Sequence, residues 1–227
     1  MKVRSTKIAK SDHDSSELFF AALEPWVPSA PKTLDMFARD GAITVSKYCE
    51  WAGELHLWEL GPEHKKSLDK FGATDVKIGC SYEHLRNCTE QFDMVVIDTP
   101  QGLHKDYNGV VHAEHFDILK EVGPILREGC WVVLYVNRKP YNKDETGSHG
   151  YDEYDEYDFN KWMTRRANFY GAYALDVSEE AALRAYRRVL GPQGWSIAQM
   201  VLTPCLSDIR NRDNYAYRLG LNVRRTT

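Results

Sequence analysis

The stretch "TLDMFARDGAITVSKY", residues 33–48, decides the fold. Its first residues form a compact apolar run that reads as a strand, and "ARDG" reads as a turn. "AITVSKYCEWA" then reads as a helix with Ile43, Tyr48 and Trp51 on a shared buried side. With Gly41 as its one glycine, the stretch reads either as a cofactor-binding turn that lacks most of its glycines or as a buried strand running into a helix, and the residues around it decide between the two.

Strand and helix signals alternate downstream. "LHLWEL" is a second strand and "GPEHKKSLDKFG" a helix that opens on Pro62 and closes before Gly72. "DVKIGC" is a third strand, "YEHLRNCTE" a polar helix, "FDMVVID" a fourth strand, "AEHFDILKEVGPILREG" a helix and "CWVVLYVN" a fifth strand. Continuous apolar strands separated by helices imply a parallel sheet covered on both faces. Farther on, "NKWMTRRANFYGAYAL" is helical, and "SEEAALRAYRRVLGPQG" is a helix capped by Ser178 with Ala182, Leu183, Tyr186, Val189 and Leu190 on its apolar face. "WSIAQMVLT" and "NYAYRLGLNV" close the chain as an antiparallel strand pair. The expected fold is doubly wound α/β, with helices on both faces of a mainly parallel sheet.

The chain has 227 residues, 43% hydrophobic and 27% charged, which suits one domain with a sizeable core. Residues 1–14 read as a flexible, mildly basic leader, and residues 15–227 as the single domain. The segment at about 138–160, with its "YDEYDEYD", lacks apolar periodicity and reads as a long loop over the carboxyl edge of the sheet. Its carboxylates lack the spacing of a calcium loop. Five scattered cysteines without CxxC or Cys/His spacing suggest neither a disulfide framework nor zinc, which fits a reducing cytoplasm. The sequence has no apolar run of membrane-spanning length, so no membrane association is expected. Net charge is −4, yet residues 160–227 hold 11 Lys/Arg against 5 Asp/Glu. A basic C-terminal third can meet phosphates, although arginines on solvated helix faces explain it as simply.

Ligands of open α/β sheets bind beyond the carboxyl ends of the strands, which directs attention to "DMFARDG", "WELGPE", "GCSY", "DTPQG" and "VNRKP". In order and position these resemble the class I S-adenosylmethionine-dependent methyltransferases from about residue 31 to residue 223. That family's first turn has a variant form DxFxGxG. Asp35, Phe37, Arg39 and Gly41 give DxFxRxG, with arginine in place of the middle glycine. The resemblance implies a seven-stranded sheet whose seventh strand is antiparallel, and S-adenosylmethionine as cofactor. Asp35, Phe37, Ala38, Arg39 and Gly41 would lie by its methionine moiety and Glu59 on the ribose hydroxyls. Leu60, Ser81 and Tyr82 would lie by adenine, and Asp98 beside the reacting end.

At the methyl acceptor the resemblance places Asp98, Thr99, Pro100 and Gln101, where amino methyltransferases of nucleic-acid bases carry D/N/SPPY/F/W, and Asn137 after the fifth strand. Asp98, His112 and His115 are the candidate proton acceptors. Metal-dependent O-methyltransferases carry ligands at positions comparable to Asp98 and Asn137, but two oxygen ligands are too few, and no metal is expected. The acceptor itself, a small molecule or a nucleic-acid base methylated on O or N, is left open. Two rivals remain: a dinucleotide dehydrogenase, disfavoured by the missing GxGxxG, and a non-catalytic methyltransferase-like scaffold, favoured by Arg39.

Overall fold

The most apolar runs of the sequence become the centre of one sheet. The computed structural model describes residues 2–9, 11–99, 102–106, 108–140, 156–207 and 212–226. In chain order the strands are β1 (Lys2–Ser5), β2 (Lys32–Asp35), β3 (Glu54–Glu59), β4 (Asp75–Ile78), β5 (Phe92–Ile97), β6 (Leu103–Lys105), β7 (Val111–Ala113), β8 (Leu126–Asn137), β9 (Trp195–Ser207) and β10 (Arg212–Arg225). The helices are α1 (Asp12–Leu23), α2 (Lys65–Leu68), α3 (Ser81–Asn87), α4 (Glu156–Tyr170) and α5 (Glu179–Leu190).

The main sheet has the order β1-β9-β10-β8-β5-β2-β3-β4, and β6 and β7 form a separate two-stranded sheet. All neighbours in the main sheet are parallel except β10, which runs antiparallel to both β8 and β9. Strand order reverses between β2 and β5, and this reversal opens the crevice in which such sheets bind ligands.

Side-chain alternation divides the core into two layers. Leu34, Trp58, Val95, Ile97, Val132, Leu134 and Leu219 pack with Trp162, Phe169, Tyr170 and the apolar stripe of α5. On the other face Leu55, Leu57, Met94, Val96, Trp131 and Val133 pack with Phe19, Phe20 and Leu23 of α1 and with Tyr48. Gly220 of β10 lets α1 approach, since a Cβ there would stand 3.0 Å from the Phe19 ring. Ser178 caps α5 by accepting from Ala181 N–H, two glutamates occupy its first turn and Arg187 and Arg188 its last, as its sequence signals require. The doubly wound sheet, the helices on both faces and the antiparallel terminal pair are as expected.

Several elements differ from expectation. The sheet has eight strands, because Lys2–Ser5 of the segment read as leader pairs in parallel with β9, from Lys2 opposite Gln199 to Ser5 opposite Leu202. Ala9 bridges to Cys205, and α1 already starts at Asp12, capped by Ser11. The helix expected after β2 is a single turn, Val45–Lys47, within a series of turns. β-branched Ile43, Thr44 and Val45 disfavour a continuous helix. The helix expected over residues 61–72 is three short pieces, Pro62–His64, α2 and Asp69–Phe71, stopped by Gly72 in the left-handed conformation. "AEHFDILKEVGPILREG" is no helix either: Val111–Ala113 closes the β6–β7 hairpin, and two single turns, Ile118–Lys120 and Gly123–Ile125, come after it. Gly123 and Pro124 interrupt its helical spacing. Most of the long segment at 138–160 lies outside the described residues.

Candidate functional site

Asp35 ends β2 and is fully buried. Its Oδ1 accepts from Phe37 N–H at 3.1 Å and its Oδ2 from the Tyr48 hydroxyl at 2.6 Å. In register it is level with Leu57 of β3 and Val96 of β5, so Glu59 and Asp98 stand one pleat above it on either side. Burial first, partly offset by the bonds from Tyr48 and Phe37, and then repulsion from Asp98 and Glu59 push its carboxyl up to about 7.

Beyond Asp35 the chain stays in the sheet, Met36 N–H donating to Val96 and Ala38 N–H to Trp58. It then turns. Arg39 has φ +49° and Gly41 φ +76°. Arg39 thus adopts the left-handed backbone that the glycine of the related turn would supply, and its side chain is exposed. Its N–H donates to Glu59 Oε2 at 2.7 Å, while Gly61 N–H donates to Oε1 at 2.9 Å. Buried Glu59 therefore clasps both turns, and the next residue, Leu60, is 40% exposed. Phe71 packs over Gly41 so closely that a Cβ there would enter its ring.

Past β4, Gly79 N–H donates to the Glu59 carbonyl, and the Ser81 hydroxyl donates to the Met36 carbonyl. Tyr82 is engaged elsewhere. Its ring stacks on His112 at 3.7 Å and 11°, and its hydroxyl lies 3.2 Å from His104 Nε2. Phe37 is half-buried, edge-on to both Tyr82 and His104.

Asp98 comes directly after β5 on the face that carries Asp35 and Glu59. Arg218 of β10 reaches it across the intervening β8, Nη1 to Oδ2 at 2.7 Å, with the guanidinium 4.4 Å from the centre of the Tyr135 ring. Register makes this possible: Arg218 pairs with Tyr135, and Ile97 with Leu134, so all three groups share one level. Thr99 is buried, and Pro100 and Gln101 lie outside the described residues. Asn137, 1% exposed, ends β8.

The structure thus brings Asp35, Arg39, Gly41, Glu59, Ser81 and Asp98 to one edge. It does not place the two histidines as expected. His115 is fully buried in the opposite layer, its Nε2 3.0 Å from the Tyr186 hydroxyl, and burial, reinforced by Arg166, pushes its pKa down to about 3. It stays neutral and away from the Asp98 face. His112 lies in the hairpin between Asp106 (3.2 Å) and Asp117 (3.4 Å), where it holds the hairpin together.

Sequence reading missed three groups: Arg218, Tyr48 and the fully buried pair of Glu114 with Arg166. Glu114 Oε1 accepts from Arg166 Nη1 at 2.8 Å and from Trp162 Nε1 at 3.0 Å, with Glu114 at φ +42°. Arg166 also donates to the carbonyls of Ala174, Asn137 and Arg138. An arginine inside the apolar strand "NYAYRLGLNV" was the available signal for Arg218. Among the described residues no group of three or more His, Cys, Asp and Glu side chains could hold a metal ion, and no helix is long and apolar enough to cross a membrane.

No family model and no curated protein matches the sequence. The fold does match solved structures. Trm5b from Pyrococcus abyssi is 13% identical, with 92% of this chain and 48% of that chain covered and a TM-score of 0.51. TYW2 from M. jannaschii, solved in complex with AdoMet, is 10% identical, with 91% and 74% covered and a TM-score of 0.52. The N-methyltransferase NodS from Bradyrhizobium japonicum WM9 is 11% identical, with 91% and 94% covered and a TM-score of 0.50. This chain spans about half the length of Trm5b. The mainly parallel main sheet with β10 antiparallel within it and these likenesses agree: the chain has the fold of the class I S-adenosylmethionine-dependent methyltransferases.

Proposed function

We propose that the protein is an S-adenosylmethionine-dependent methyltransferase. The observation that carries this reading is the turn at Arg39: its backbone has the positive φ of a glycine, its side chain is exposed, and its N–H is held by Glu59. The arginine therefore leaves the turn's shape intact.

The donor set suits the cofactor. Each Glu59 oxygen accepts one backbone N–H and keeps a lone pair for a ribose hydroxyl. Leu60 offers an exposed apolar side chain to adenine, and Ser81, whose proton goes to Met36, can accept from the adenine amino group. Asp35, Phe37, Ala38 and Gly41 shape the turn beneath the methionine moiety. Tyr82, stacked on His112, is left out of the adenine contact. When bound, the cofactor supplies a methyl group on a sulfonium. The chain then has to position the acceptor in line with it over Asp98, Thr99, Pro100, Gln101 and Asn137. Paired with Arg218, Asp98 orients the acceptor's N–H or O–H, and His112 and His115 take no part. Five free cysteines, three of them buried, fit work in a reducing cytoplasm.

One observation favours the scaffold reading: Asp35, Glu59 and Asp98 all have internal partners. Calorimetric titration with S-adenosylmethionine separates the two. Binding that Glu59→Ala weakens by about tenfold or more supports the enzyme. No heat at millimolar cofactor, with the protein shown to be folded, leaves the scaffold.

A further inference from the structure

Asn137 is a buried polar group with an unmet bond. Its side chain is 1% exposed, and Nδ2 has no hydrogen-bond partner among the described residues. Burying an amide donor unpaired is unfavourable, so such a group calls for an explanation. Its main chain, by contrast, is firmly held. Its carbonyl accepts from Arg166 Nη2 at 2.7 Å, and that guanidinium is pinned by Glu114.

Alternation along β8 puts Val132, Leu134 and Val136 in one layer and Trp131 and Val133 in the other, so Asn137 shares the face of Tyr135, which carries Arg218 and Asp98. Asp98 is level with Tyr135 on the neighbouring strand, two residues short of Asn137. Strand spacing and rise put the two α-carbons about 8 Å apart. Arg218 occupies Asp98 Oδ2, and Oδ1 carries no hydrogen bond among the described residues. The same face of the sheet therefore carries a donor, Asn137 Nδ2, and an acceptor, Asp98 Oδ1, on neighbouring strands two residues apart in register.

We infer that Asn137 and Asp98 together recognise a planar acceptor group in which an N–H stands beside a ring nitrogen or carbonyl oxygen, an amidine or amide edge. Asn137 donates to the nitrogen or oxygen, and Asp98 accepts from the N–H. A site built from paired donor and acceptor rejects ligands lacking either half, because its own buried group is then left unpaired. Arg166 and Arg218 act as positioning residues. This assignment rests on the acceptor lying at Asp98, as proposed above.

The test uses the full chain and 4-aminopyrimidine, which has the complete edge. Pyrimidine (acceptor half only) and aniline (donor half only) are the controls, at pH 8 where all are neutral. The readout is the side-chain amide signal of Asn137 in a 15N-correlated spectrum, identified by its loss in Asn137→Asp. The signal should shift with 4-aminopyrimidine and far less with either control, and Asn137→Asp, folded by circular dichroism, should bind 4-aminopyrimidine about tenfold more weakly. A signal unmoved by 4-aminopyrimidine, or moved equally by aniline or pyrimidine, overturns the inference. Each titration is run with and without saturating S-adenosylhomocysteine. A shift without any S-adenosylhomocysteine binding leaves the recognition edge standing and sinks the methyltransferase reading. S-adenosylhomocysteine binding without a shift does the reverse.

Discussion

Replacing Asp35 by asparagine should change how stability depends on pH. The Asp35 carboxyl moves from an ordinary value of 3.8 to about 7 on folding, chiefly through burial. Because its folded pKa is raised, the stability it contributes is fully present below about pH 4 and is lost as pH rises through 7. The window covers about three pH units at about 1.4 kcal/mol each, or about 4 kcal/mol in all. His115 has the opposite slope: its pKa falls from 6.5 to about 3, so the neutral buried ring costs stability as pH drops below 6.5. His104, pushed down to about 4 by burial, adds a second slope of the His115 sign, so between about pH 4 and 6.5 Asp35 offsets one of the two histidines. Asparagine keeps an oxygen for Phe37 N–H and offers an N–H to the Tyr48 oxygen, without titrating. Urea unfolding, monitored by tryptophan fluorescence at pH 5, 6, 7 and 8, should show the variant gaining on the native chain by about 1.4 kcal/mol per unit up to pH 7, then running parallel. A difference constant across the series would refute the idea that Asp35 holds its proton near neutrality.

Other substitutions test neighbouring parts of the structure. Arg166→Met leaves Glu114 buried without its partner and should cost about 3–5 kcal/mol in urea unfolding, whereas Glu114→Gln with Arg166→Met should recover part of that loss; equal losses would mean the pair is not coupled. Gly41→Ala meets both a positive φ and the Phe71 ring, so a drop of about 1–3 kcal/mol is expected, and unchanged stability would contradict the tight turn. Glu59→Gln turns one acceptor into a donor that faces a backbone N–H, and should lower both stability and S-adenosylmethionine affinity; calorimetry showing native affinity would remove Glu59 from the ribose site.

The strands were legible because burial on both faces leaves a local mark: "FDMVVID" and "CWVVLYVN" have few alternatives. The crossovers were not. Residues 42–52 space Ile43, Tyr48 and Trp51 as a helix would, yet Ile43 is 40% exposed and Tyr48 turns inward to bond Asp35. That contact is tertiary and overrides spacing. Of the candidate site, the positions of Asp35, Glu59 and Asp98 were legible because each sits where a strand stops. Arg218 and Arg166 could not be paired from spacing, since their partners lie 120 and 52 residues away. The histidines misled because "HAEHF" at a presumed helix start suggests reach toward the edge, while the hairpin puts one ring on Tyr82 and the other into the core.

The position of β10 has a consequence for how the chain assembles. It is synthesised after β8 and β9, yet it lies between them in the sheet, and β1 attaches to β9 beyond it. Until residues 212–225 have emerged, the half containing β2 to β8 has an unpaired apolar edge at β8, and β9 with β1 has nothing to join. Folding during synthesis should therefore stall as an open half-sheet and finish late, with contacts of high sequence separation formed last. Chains cut before residue 212 should accumulate as aggregation-prone halves with β8 exposed.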